Sequence, residues 1–235
     1  MGNSFSGFTP ESVEFLERLA ANNNKAWFEE HRDDFEQSLM EPLKNLVSDL
    51  SGTMMAIDPE LVTIPAVDKT ISRIYRDTRF SRNKSPYKTC LWITFKRRSP
   101  DWKTAPCFFF EISADGYRYG MGFYSATRET MDSLRRFIEA KPGEFRKIVS
   151  DFAGQDTFTL EGERYKRSLN PALPDDLQPW HGRKNIYFIC QRPLNGRLFT
   201  RGICDDLREG FGLLRPMYEL LWRVCGGEIF RNMMC

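Results

Sequence analysis

The stretch that decides the fold is Cys107-Phe-Phe-Phe-Glu-Ile-Ser-Ala-Asp115-Gly-Tyr-Arg-Tyr-Gly-Met-Gly-Phe-Tyr124. Two runs of aromatic and apolar residues flank Asp115-Gly116, the dipeptide that favours a tight hairpin turn. Cys107–Ser113 and Tyr117–Tyr124 are therefore predicted to be antiparallel strands. In the second arm Tyr117, Tyr119, Met121 and Phe123 share one face, and Gly120 and Gly122 share the other. Two glycines on one strand face let another backbone, a helix or a ligand approach closely, and close packing is the simpler use.

Toward the N-terminus, Leu91–Lys96 and Thr70–Arg76 have strand composition. Residues 52–69, with Gly52, Asp58-Pro59 and Ile64-Pro65, are predicted to be loop. Before them the period changes to three and four. Thr9-Pro10-Glu11 is a helix start, with an N-cap, a first-position proline and a first-turn acid. Asn22–Asn24 ends that helix. A second begins near Lys25, with Phe28, His31, Phe35, Leu39, Leu43, Leu46, Val47 and Leu50 on its apolar face, and Pro42 should kink or split it.

Beyond the hairpin, helices are predicted over Arg128–Ala140 and Pro142–Phe152, a short strand over Phe158–Leu160 and another over Asn185–Gln191. Asp205 or Asp206 should cap a last helix running to about Val224. Consecutive strands between helical ends predict an α+β fold, one domain over 8–224 with a mainly antiparallel central sheet, and flexible ends at 1–7 and 225–235. A doubly wound fold would alternate strand and helix, and this chain does not.

The 235 residues, 41% hydrophobic and 14% aromatic, suffice for a real core. No apolar run is long enough to cross a bilayer. The first residues lack the regions of a signal peptide. Gly2 and Ser6 fit a myristoylation pattern short enough to arise by chance. Six cysteines, at 90, 107, 190, 204, 225 and 235, form no C-x-x-C pair, which predicts free thiols and a cytoplasmic protein rather than a zinc or disulfide framework. With only His31 and His181, a histidine-rich metal site is excluded, and any catalytic triad would need one of the two. No cofactor or metal is assigned.

The charge is uneven. Between Arg73 and Lys103 stand ten basic residues against Asp77 and Asp101, a net +8 in a chain of +2 overall. Its centre is Arg76-Asp-Thr-Arg-Phe-Ser-Arg-Asn-Lys-Ser-Pro-Tyr-Lys88. Pro86 locks the turn and restricts Ser85. Arg73, Arg76, Arg79, Lys84 and Lys88 form a candidate anion clamp, with hydroxyls from Ser81 and Tyr87. Asp77 is the acid among them, able to orient an arginine, accept a proton or hold a metal. The structural alternative is an ion-pair ladder, since alternation would place Arg73, Tyr75, Asp77 and Arg79 on one face. Phe80 is read as core. His181 could be exposed, and a lone surface histidine is more often incidental.

The chain resembles a widespread family of uncharacterised bacterial and fungal proteins, catalogued as a domain of unknown function. The likeness rests on Asn22-Asn-Asn-Lys-Ala-Trp-Phe28, on Arg73-Ile-Tyr-Arg-Asp-Thr-Arg-Phe-Ser81, on Lys84-Ser-Pro-Tyr-Lys-Thr89 and on Gly162-Glu-Arg-Tyr-Lys-Arg167. It implies one domain in a bacterial or fungal cytoplasm, and no activity. Asn83 departs from the pattern, standing where the family usually carries an acid.

Three functions follow as expectations: binding of, or reaction on, a phosphorylated or carboxylated small molecule at the motif; binding of nucleic acid or another polyanion along the basic segment; or a structural, partner-binding role. The first expects a concave pocket at the turn.

Overall fold

The hairpin forms where the Asp-Gly turn demands it. In the computed structural model, which describes residues 4–99 and 102–225, β1 is Cys90–Phe95, β2 Pro106–Ser113 and β3 Gly116–Phe123. Further on, β4 is Thr159–Glu161 and β5 Tyr187–Pro193. They build one antiparallel sheet in the order β1-β2-β3-β5-β4. Helices stand at both ends of the chain, so the fold is α+β as expected. Within it the described residues group into two compact units: 4–95, 109–119 and 191–209 in the first, 96–99, 102–108, 120–190 and 210–225 in the second.

In the first unit α1 is Pro10–Ala21, entered as predicted through Thr9, whose N–H donates to Ser12 Oγ at 3.1 Å. The second predicted helix is broken into α2 (Lys25–Glu30), α3 (Arg32–Phe35), a π-helical turn (Glu36–Met40) and α4 (Glu41–Ile57). Pro42 explains part of this. Lacking an N–H, it gives the Ser38 carbonyl no α-helical donor, and the Ser12 hydroxyl donates to that carbonyl instead, at 2.6 Å.

Helix α4 overruns the loop predicted to begin at residue 52. Gly52 costs a helix about 1 kcal/mol, but Met54 and Ile57 continue the buried stripe of Leu43, Leu46, Val47 and Leu50. Burial outweighs the local penalty. Residues 4–7, expected to be loose, are held: Phe5 is buried and its N–H donates to Asp49. The rest of that expected N-terminal end, Gly2 included, and the C-terminal stretch 226–235 with Cys235 lie outside the described residues.

Thr70–Arg76 is not a strand. It makes only isolated bridges, Ile71 with Ile93 and Tyr75 with Tyr87. The reason is spacing. Ile71 and Ile74 are both buried, and a strand would turn residues three apart to opposite faces. The chain leaves the ladder to bury both.

In the second unit α5 is Arg128–Ala140, α6 Pro142–Ala153 and α7 Gln178–His181. Gly120 and Gly122 serve close packing. A Cβ on Gly120 would lie 1.8 Å from the Phe188 carbonyl oxygen, and one on Gly122 2.4 Å from Tyr187 Cα. The last helix, α8, spans Gly202–Cys225 and starts before the predicted cap. Gly202 N–H donates to Thr200 Oγ1, while Asp206 is occupied by Arg197. Among the described residues no helix is long and apolar enough to cross a membrane.

Candidate functional site

The motif, in the first unit, is an arm with a packed base and an open tip. Arg76 N–H donates to the Pro86 carbonyl and Lys88 N–H to that of Ile74, both at 2.8 Å, which pairs the two sides. Tyr87 anchors the base. It is 2% exposed and its ring stacks on Phe28 at 4.2 Å. Its N–H donates to Asn23 Oδ1 and its carbonyl accepts from Asn23 Nδ2, each at 3.0 Å. Burial raises its hydroxyl pKa. Tyr87 is therefore a packing residue, not the hydrogen-bond donor to an anion that its place in the motif suggested.

Most of the other motif residues brace the arm. Asp77 accepts from Arg79 three times, from the backbone N–H at 3.2 Å, Nε at 3.0 Å and Nη2 at 2.7 Å. The Arg79 guanidinium holds the Asp77 carboxyl down to about 2. A carboxylate so stabilised is a poor base at neutral pH, and its three bonds suit it to orienting Arg79. Lys84 Nζ donates to the Thr78 carbonyl at 2.9 Å, and Lys88 Nζ to that of Arg73. Lys88 also lies 4.3 Å from the centre of the Trp92 ring, and burial lowers its pKa. Ser81 Oγ accepts from Asn83 N–H, and Asn83 Oδ1 from Ser85 N–H. An aspartate could accept that last bond equally well, so the departure at Asn83 preserves the turn. Arg73 lies 3.2 Å from Asp68.

What remains outward is Arg76, Phe80 and Arg82. Arg76 and Arg82 are exposed, and neither has an acidic partner among the described residues. Phe80 is 94% exposed, which corrects its reading as core. The warning was in the sequence: from Asp77 to Ser85 it has no apolar neighbour with which to share a buried face. The Arg79 guanidinium lies 5.8 Å from its ring centre.

The rest of the basic segment falls in the second unit, where Arg98 is exposed and the other three cations rest on rings. Lys96 is 3.9 Å from Trp102, Arg97 4.2 Å from Trp222 and Lys103 6.0 Å from Tyr124. Asp101 lies outside the described residues.

Sequence reasoning passed over a second cluster, also in the second unit. His181 is 2% exposed rather than on the surface, and its Nε2 lies 2.9 Å from Glu139 Oε1. Asn170 donates to the same oxygen at 3.0 Å. These two donors hold the Glu139 carboxyl below the usual carboxylate range, Asn170 more than His181. The pair borders a cleft of about 860 Å³, in which Glu129 and Asp132 alternate with Arg128 and Arg136. That alternation leaves no net charge for an ion to follow. The other imidazole nitrogen, Nδ1, is buried without a partner among the described residues. With Nε2 given to Glu139 and Nδ1 sealed from solvent, His181 presents no nitrogen to a substrate.

Burial pushes Cys107 and Cys225 up to about 12. Against models of protein families, residues 11–220 match the one described as "Conserved hypothetical protein (DUF2461)". No curated protein matches the chain.

Proposed function

Given that the chain belongs to the DUF2461 family of conserved hypothetical proteins, we propose that the exposed tip of the motif arm, residues 76–84, is its functional surface and binds a polyanion. One observation carries this reading. The other cations of the arm are spent on bracing it, whereas Arg76 and Arg82 face solvent with no acid beside them among the described residues. A braced arm fixes the backbone from which these guanidiniums extend, so only their side chains are ordered on binding.

A polyanion fits better than a small metabolite. The side chains of Arg73 and Arg79 are 65% and 77% exposed, and a metabolite site would enclose its ligand. An extended chain of phosphates needs only a charged surface, and it gains from releasing counterions.

The test is titration with inorganic polyphosphate across a range of salt concentrations. Wild-type protein should bind at low salt and weaken steeply as salt rises. The double variant Arg76→Ala, Arg82→Ala should lower the slope of log affinity against log salt by roughly one to two, for two lost phosphate contacts. No binding at low salt, or an unchanged slope in the double variant, would overturn the proposal.

A further inference from the structure

Resting on that reading, we infer that the polyanion is a single-stranded nucleic acid, and that Phe80 stacks on one of its bases. Scattered exposed apolar residues are ordinary on protein surfaces. Phe80 differs in degree and in setting. At 94% exposure it leaves almost its whole ring in water, on a tip otherwise polar or charged.

The backbone that carries the ring is also held in place. Asp77 grips Arg79 on one side of it, and Lys84 ties back to the Thr78 carbonyl across the tip. The arm is closed behind by Arg76 to Pro86 and Lys88 to Ile74. Phe80 is thus presented by its backbone, with the Arg79 guanidinium 5.8 Å from the ring centre.

An outward ring between guanidiniums is the chemistry that receives alternating phosphates and flat bases. Arg76 and Arg82 meet phosphates while the ring meets a base face. Single strands expose those faces. A duplex keeps them stacked inside, and polyphosphate has none. Base–aromatic stacking is indifferent to sequence, so the preference is for strandedness and not for a particular base.

The experiment compares four ligands by fluorescence anisotropy or competition: an oligothymidylate, an oligouridylate, an abasic strand with the same number of phosphates, and inorganic polyphosphate. The wild-type protein should favour both base-bearing strands over the abasic one by about tenfold. Phe80→Ala should erase that preference, leaving abasic-strand and polyphosphate binding unchanged, and Phe80→Trp should restore it. At this exposure neither substitution threatens the fold. Equal affinity for abasic and base-bearing strands, or Phe80→Ala without effect, would overturn the inference while leaving polyanion binding intact. Failure of all four ligands to bind would instead overturn the reading beneath it. Thymidylate and uridylate bound alike mean that neither the sugar hydroxyl nor the methyl group is read; a duplex run beside them and bound more tightly than either strand would also sink the inference.

Discussion

Two arginine clusters in this protein do opposite things with the same side chain. Those of the motif arm lie in water: Arg79 pairs with its neighbour Asp77 beside the Phe80 ring, and Arg76 and Arg82 are exposed. In the second unit Arg183 and Arg135 are 8% and 6% exposed; Arg183 is spent on main-chain carbonyls, and Arg135 divides its donors between two carbonyls and the Asp132 carboxylate. Arg183 donates to Gly162 and Leu160 at 2.7 Å and to Pro179 at 3.2 Å. Arg135 donates to Arg183 at 2.7 Å and to His181 at 3.1 Å. An arginine fork that supplies donors to buried carbonyls is a strut. The same fork in water is a ligand site or a solvated charge. Clustering along the chain found the second kind and missed the first.

The comparison breaks most sharply at Arg183. Arg183→Ala removes the donors from three carbonyls and should cost about 3 kcal/mol or more in urea unfolding. Arg76→Ala should stay within about 0.5 kcal/mol, as for an exposed residue with no partner. Similar losses at both sites would erase the distinction.

A smaller effect is expected where a charge is half shielded. Glu139→Gln keeps the hydrogen bonds of His181 and Asn170 but loses the charge, and should cost roughly 1 kcal/mol at neutral pH. The Glu139 carboxyl sits below its ordinary value when folded. Its contribution is therefore present above the unfolded value and lost as pH falls through the folded one. Wild type and variant should converge in acid, which unfolding midpoints measured down the pH scale would reveal.

The smallest effect belongs to Asp77. Its carboxyl drops from 3.8 to about 2 on folding, so its contribution is lost as pH falls from near 4 to near 2. Because the pair is exposed, Asp77→Asn should barely move the melting temperature at neutral pH, and added salt should shrink even that difference. A large, salt-insensitive loss would mean that Asp77 braces more than the tip.

Much of this was legible in advance. The helix boundaries at Pro10, Arg128 and Ala140, the Asp-Gly turn and the α+β class follow from caps, turn chemistry and residue spacing. What failed, failed for long-range reasons. Gly52 did not end α4, because Met54 and Ile57 had a core to enter. Ile71 and Ile74 broke a strand because both had to be buried. His181, a lone histidine after a tryptophan, gave no sign of Glu139, which lies 42 residues earlier.

The amino-acid sequence by itself determined the hairpin, the helical ends and the position of the basic motif, since these depend on preferences acting over a few residues. Tertiary structure decided which motif residues were left to act. Asn23 pins Tyr87 from 64 residues away, Phe28 stacks on its ring, and the arm closed on that base spends Asp77, Lys84 and Lys88 on itself. Arg76, Phe80 and Arg82 face water because the described residues around them leave them uncovered. Exposure of that kind is a property of the whole packed chain, and no short stretch of sequence contains it.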